Sequence, residues 1–134
     1  FKNCAGFVGS LTIPASVIEV CYEAFQECSG FDGTLNLTEG LKYIYESAFE
    51  KCSGFIGSLN IPDSVIEIGD NAFSFCSDFN ENLKLSKSLK LISDNAFQND
   101  FGFSGGLYIP DTVEEIGASA FWGCYGFNSE LKLP

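Results

Sequence analysis

The sequence predicts a β-rich solenoid of stacked 24-residue coils, with a parallel sheet on one face, a second short strand and one helical or 3-10 turn in each coil. Three observations predict it. Phe1, Phe25, Phe49, Phe73, Phe97 and Phe121 recur at one period without a slip. A second column, Phe7, Phe31, Phe55, Phe79, Phe103 and Phe127, keeps the same register, so only Phe75 and Phe101 of the 14 Phe stand outside the two. Aliphatic columns share that register: Leu11, Leu35, Leu59, Leu83, Leu107, Leu131; Ile13, Leu37, Ile61, Leu85, Ile109, Leu133; and Val20, Ile44, Ile68, Ile92, Ile116. A unit this short cannot bury its apolar face alone, so like positions must pack on one another.

The elements follow in order along each coil. The triplet Leu11-Thr12-Ile13 alternates apolar, polar, apolar, which is the period of a half-buried strand. Pro14, Pro62 and Pro110 close it in the first, third and fifth coils, while Thr38 and Ser86 take that place in the second and fourth. This 48-residue alternation suggests duplication of a two-coil unit. From Val17 to Cys28 the apolar spacing also fits a helix, and Ser16-Val17-Ile18-Glu19 resembles a capping box. The β-branched run and the breaker Ile68-Gly69-Asp70-Asn71 weigh against a full helix. A second short strand, a turn and one helical turn at Ala-Phe-x-x-Cys satisfy both signals. Gly-Phe-x-Gly, as at Gly30-Phe31-Asp32-Gly33, then turns the chain into the next coil. The 134 residues make one solenoid segment of about five and a half coils, and with strands ~4.8 Å apart a rod roughly 25 Å long. It opens and closes in mid-coil and reads as a piece of a longer array.

Composition narrows the function. The chain has no His and no Arg, with 7 Lys against 18 Asp+Glu and a formal charge of −11. Histidine-based nucleophile arrangements and the common zinc sites are thereby excluded, and a phosphate backbone is repelled. No apolar run reaches the ~20 residues of a membrane span. No nucleophile and base recur together, so no catalytic, metal or cofactor site is expected and the chain is read as a non-enzyme. Cys4, Cys28, Cys52, Cys76 and Cys124 share one phase, interrupted by Asp100. Buried thiols packed inside the turn suit such a column best, with disulfides left open because stacked side chains run parallel.

The unit from Cys52 to Cys76, Cys-Ser-Gly-Phe-x-Gly-Ser-Leu-x-Ile-Pro-x-Ser-Val-x-x-Ile-Gly-x-x-Ala-Phe-x-x-Cys, resembles the BspA-like (Treponema-type) leucine-rich repeat, and the resemblance spans nearly the whole chain. It implies a leucine-rich-repeat solenoid from a secreted or cell-surface protein, extracellular in location, associated with adhesion to proteins or cells. The general pattern Leu-x-Leu-x-x-Asn would place Asn at Ser16, Gly40, Ser64, Ser88 and Thr112, so an asparagine ladder is absent. Cys or backbone groups must satisfy the turn instead.

The candidate binding face is the outward column of the strand triplet: Thr12, Asn36, Asn60, Lys84, Tyr108 and Lys132. These positions vary in chemistry while their neighbours stay fixed. A second candidate is an aromatic patch of Phe101, Trp122 and Tyr125, alongside Tyr108. The sequon Asn36-Leu37-Thr38 permits N-glycosylation at Asn36. The function expected is recognition of a protein or glycan ligand. The alternative is a fibre subunit whose coil ends stack on copies of itself.

Overall fold

The computed structural model describes all residues, 1–134. Each coil carries a leading and a following strand. The leading strands are β1 (Leu11–Ile13), β3 (Leu35–Leu37), β5 (Leu59–Asn60), β7 (Leu83–Lys84), β9 (Leu107–Tyr108) and β11 (Leu131–Lys132). The following strands are β2 (Glu19–Val20), β4 (Tyr43–Ile44), β6 (Glu67–Ile68), β8 (Leu91–Ile92) and β10 (Glu115–Ile116). Following strands join into one parallel sheet in the order β2-β4-β6-β8-β10, with Val20, Ile44, Ile68, Ile92 and Ile116 in register. The solenoid expected from the columns is the fold observed.

Side chains of the apolar columns meet in a single core of 30 buried residues. Phe49, Phe73 and Phe97 of one column and Phe55, Phe79 and Phe103 of the other are fully buried. In the first column the rings stack with centroids 5.3–5.4 Å apart and planes within 12° of parallel. Offset stacking at this separation adds about 0.5–1.5 kcal/mol per pair to what area burial supplies.

Two features differ from expectation. No helical turn forms at Ala-Phe-x-x-Cys. The backbone there divides its donors instead: Ala24, Gln26 and Cys28 close local turns onto Cys21, Glu23 and Phe25, whereas Glu23, Phe25 and Glu27 donate at 2.8–3.0 Å to Glu46, Ala48 and Glu50 of the next coil. Helix would keep every donor inside the coil and leave the stack unbonded on this side. Reversing alternate peptides requires left-handed residues, and each coil has two, four apart: Glu23 and Glu27, Ser47 and Lys51, Asn71 and Phe75, Asn95 and Asn99, Ser119 and Gly123. Their apolar spacing imitates a helix, which explains the ambiguity of the sequence.

The leading strands do not form one continuous sheet. They pair as β1-β3, β5-β7 and β9-β11, with the ladder interrupted between β3 and β5 and between β7 and β9. The incoming coil carries a proline after the triplet at both interruptions, Pro62 and Pro110, but also at the paired β9-β11, Pro134, so proline alone does not decide pairing. Thr38, the residue after the triplet in the second coil, donates its hydroxyl to the Ile13 carbonyl at 2.7 Å. Pro62 and Pro110 stand opposite the Leu37 and Leu85 carbonyls with no N–H to give. The pairing of the leading strands follows the 48-residue repeat. A second device shares its period: Asp32, Asn80 and Asn128 accept the backbone N–H of Gly9, Gly57 and Gly105 one coil earlier, and those glycines have φ of 78–80°.

Phe75 holds φ 62° with its ring 43% exposed, so a bulky residue bears left-handed strain for little packing return. Replacing it with Asn, as at the matching position 99, should stabilise the fold by about 1 kcal/mol. Urea unfolding of Phe75→Asn checks this, and a lower midpoint than the parent would show that the ring carries packing the strain argument omits.

Candidate binding face

Because the strand triplet alternates, its middle side chain points away from the core in every coil. Thr12, Asn36, Asn60, Lys84, Tyr108 and Lys132 are all exposed, and pairing sets Thr12 beside Asn36, Asn60 beside Lys84 and Tyr108 beside Lys132. The column named from sequence is thus one continuous outward row. It is knitted locally: Asn36 Nδ2 donates to Thr12 Oγ1 at 3.3 Å, and Tyr108 Oη to Glu130 Oε2 at 3.4 Å.

Two grooves cross this row. The larger, about 700 Å³, lies between β7 and β9 and is walled by Lys84, Leu85, Lys87, Tyr108, Pro110 and Lys132 among others. The smaller, about 410 Å³, lies between β3 and β5 beside Asn36, Ser58, Asn60 and Glu81. Both sit on the interruptions of the leading-strand ladder. Asn36 of the sequon is exposed on the wall of the smaller groove, and the hydroxyl of Thr38 is spent on the Ile13 carbonyl.

Charge is distributed unevenly along the face. Lys2, Lys51, Lys87 and Lys90 pair with Glu23, Glu27, Asp63 and Glu114, leaving Lys42, Lys84 and Lys132 without a carboxylate partner. Two of those three flank Tyr108. The Lys87 backbone N–H bonds Asp63 at 3.1 Å and, with the ammonium, holds that carboxyl below its usual range.

The aromatic patch is dispersed. Phe101 and Tyr125 occupy one position in successive coils and Trp122 lies on the neighbouring turn; all three are more than half exposed, and none takes part in a ring pair. Tyr108 belongs to the strand face instead. A tighter aromatic group escaped the column analysis: Tyr22 stacks on Tyr45 at 5.1 Å and Tyr45 on Tyr43 at 5.8 Å, beside the following-strand sheet. Tyr22 and Tyr45 are 23 residues apart, one short of the period, so no column contains both.

The thiols do structural work. Cys28, Cys52, Cys76 and Cys124 each direct Sγ at 3.0 Å to the carbonyl of Phe1, Phe25, Phe49 and Phe97, in the coil below. At the positions of the missing asparagines, Ser64 instead accepts the Gly40 N–H at 3.0 Å and donates to the Leu41 carbonyl at 2.7 Å. All six cysteines are unpaired, and Cys21 alone is exposed. Burial pushes the Cys52 and Cys124 thiols up to about 12, which makes them inert. Asp100 replaces the fifth thiol. Its Oδ1 accepts the Cys76 N–H at 2.8 Å, while Oδ2 is buried without a partner. In the register of these thiols the acceptor facing position 100 is the Phe73 carbonyl, the one Phe carbonyl between Phe49 and Phe97 that receives no thiol. Burial raises the Asp100 carboxyl well above the ordinary range, toward the neutral form that carries an O–H.

Residues 1–128 match the family model for the BspA type leucine rich repeat region, in 6 copies. Among solved structures, a leucine rich cell surface protein of Faecalibacterium prausnitzii superposes with a TM-score of 0.78 at 25% identity, covering 98% of this chain and 34% of that one. A leucine-rich repeat protein of Bacteroides ovatus gives a TM-score of 0.68 at 20% identity, covering 100% of this chain and 39% of that one. The chain therefore spans little more than a third of these proteins. No curated protein matches it.

Asp100 sets a pH dependence. Its folded-state pKa lies above the unfolded value, so its stabilising contribution is complete below about pH 4 and is lost as pH rises through the folded value. Asp100→Asn keeps an acceptor and a donor without the charge. The gap in urea midpoint between variant and parent should widen in the variant's favour from pH 4 to pH 8, reaching about 1–3 kcal/mol. A gap that does not move with pH would mean that Asp100 is not neutral in the fold.

Proposed function

The chain belongs to the BspA type leucine-rich repeat family, and from that premise we propose that it is a non-enzymatic recognition module of a cell-surface or secreted protein, contacting a protein or glycan through its leading-strand face. One observation carries this: six outward positions stand in register, differ in chemistry and are crossed by two grooves, while every neighbouring column is fixed by the core. A scaffold of that kind separates folding from recognition, since the outward residues can change without cost to the stack. The cell-surface character of the Faecalibacterium protein supports the same setting. An N-glycan on Asn36 would fill the smaller groove and leave the larger one free.

The face is tested by Asn60→Glu combined with Tyr108→Glu, two exposed substitutions that leave the core untouched. Binding to an array of immobilised matrix proteins and glycans should fall at least tenfold, with the thermal midpoint unchanged. Undiminished capture of the same ligands would move recognition to the turns or the opposite sheet.

A second reading is end-to-end assembly, in which coil faces of two copies stack as successive coils stack within one. Heterologous contact between such faces builds open filaments. Light scattering of the segment should then show growth with concentration, and a monomer persisting at high concentration sinks the idea.

A further inference from the structure

We propose that the groove between β7 and β9 is a subsite for acidic sugars, taking a uronate-bearing glycan with its carboxylates on Lys84 and Lys132 and a sugar ring on Tyr108. This rests on the leading-strand face being the recognition surface, and it assigns the chemistry that surface selects.

Charge complementarity comes first. In a chain of formal charge −11, four of the seven lysines are neutralised by carboxylates 2.8–3.6 Å away. Lys84 and Lys132 are not, and they lie one on each side of Tyr108, two strands apart, roughly 10 Å along the stack. Glu130 takes the Tyr108 hydroxyl and so holds the ring on the face without pairing either ammonium. Of the groove's other ionic groups Lys87 is engaged by Asp63, and Asp111 lies on the proline wall.

Second, the groove offers what a saccharide uses. Tyr108 is half exposed, presenting a ring face to sugar C–H groups. Asn82 and Thr112 line the same groove. The Leu85 carbonyl accepts no hydrogen bond from the protein, and this leaves an acceptor for a sugar hydroxyl. An acidic peptide is the poorer fit. Extended peptides gain affinity by adding to a sheet edge, and the strands bordering the groove, β7 and β9, are two residues long, too short an edge for such an addition.

The experiment titrates the 134-residue chain with hyaluronan hexasaccharide, with chitohexaose as the uncharged oligosaccharide and with hexaglutamate as the acidic peptide. Hyaluronan should bind at least tenfold tighter than either, and should weaken as salt rises. Lys84→Ser with Lys132→Ser should cost hyaluronan at least tenfold and Tyr108→Ala a similar factor, whereas Lys90→Ser, on the opposite sheet, should change nothing. The proposal is overturned if hyaluronan fails to bind up to millimolar concentration, if chitohexaose binds as well, if the lysine pair proves irrelevant, or if hexaglutamate binds in its place. Should an uncharged ligand bind in a way that depends on Tyr108 and Asn60, the acidic assignment falls while the recognition face stands; should no face substitution affect any ligand, both fall.

Discussion

Backbone hydrogen bonding between like positions of successive coils is the constraint from which the rest follows. Each coil is too short to pair its own peptide groups, so the strands donate to the coil beside them and even the turn at Glu23–Cys28 sends alternate N–H groups there. Two peptides can bond along the stack only when their residues keep the same register, which forces identical spacing in every coil. Once spacing is fixed, side chains stack on their own kind. Phenylalanine rings then lie within a few degrees of parallel, and each thiol finds the carbonyl of the coil below. The strain of non-glycine residues in the left-handed region is carried by the same network, because a relaxed turn would forfeit its inter-coil donors.

What was legible in the sequence was what obeys the period. The two Phe columns, the aliphatic columns and the outward row are all readable because register converts position directly into burial. Misleading signals came from residues whose meaning depends on a partner one coil away. Ala-Phe-x-x-Cys has helical spacing, yet its conformation is decided by carbonyls at Glu46, Ala48 and Glu50 that no local window contains. Tyr22 and Tyr45 meet although their spacing misses the period by one. Asp100 looked like drift from a Cys column, whereas its carboxyl receives the Cys76 N–H at the vacated place in that column.

The 48-residue repeat links the leading-strand sheet to the surface. Where Thr38 occupies the place after the triplet, its hydroxyl reaches the preceding carbonyl and the strands on either side are paired. Between β3 and β5 and between β7 and β9 the ladder stops, and a groove lies over each gap. The core does not register the change, since Leu59, Ile61, Leu107 and Ile109 remain buried. Sheet continuity and core packing are thus independent in this fold, and surface relief can be introduced without loosening the interior.

That independence has a consequence for recognition. The interruptions of the leading-strand ladder recur every second coil, so the two grooves are spaced by one 48-residue unit, or roughly 10 Å along the stack. A single shallow groove offers modest affinity, because few groups converge and the walls are open to water. A linear ligand lying along the stack meets both grooves in succession, and its second contact is made at the effective concentration set by the first. The walls differ, with Asn36 and Asn60 at one groove and Lys84, Tyr108 and Lys132 at the other. Selectivity in such an array therefore resides in the order of outward residues along the stack, which the core leaves free to vary.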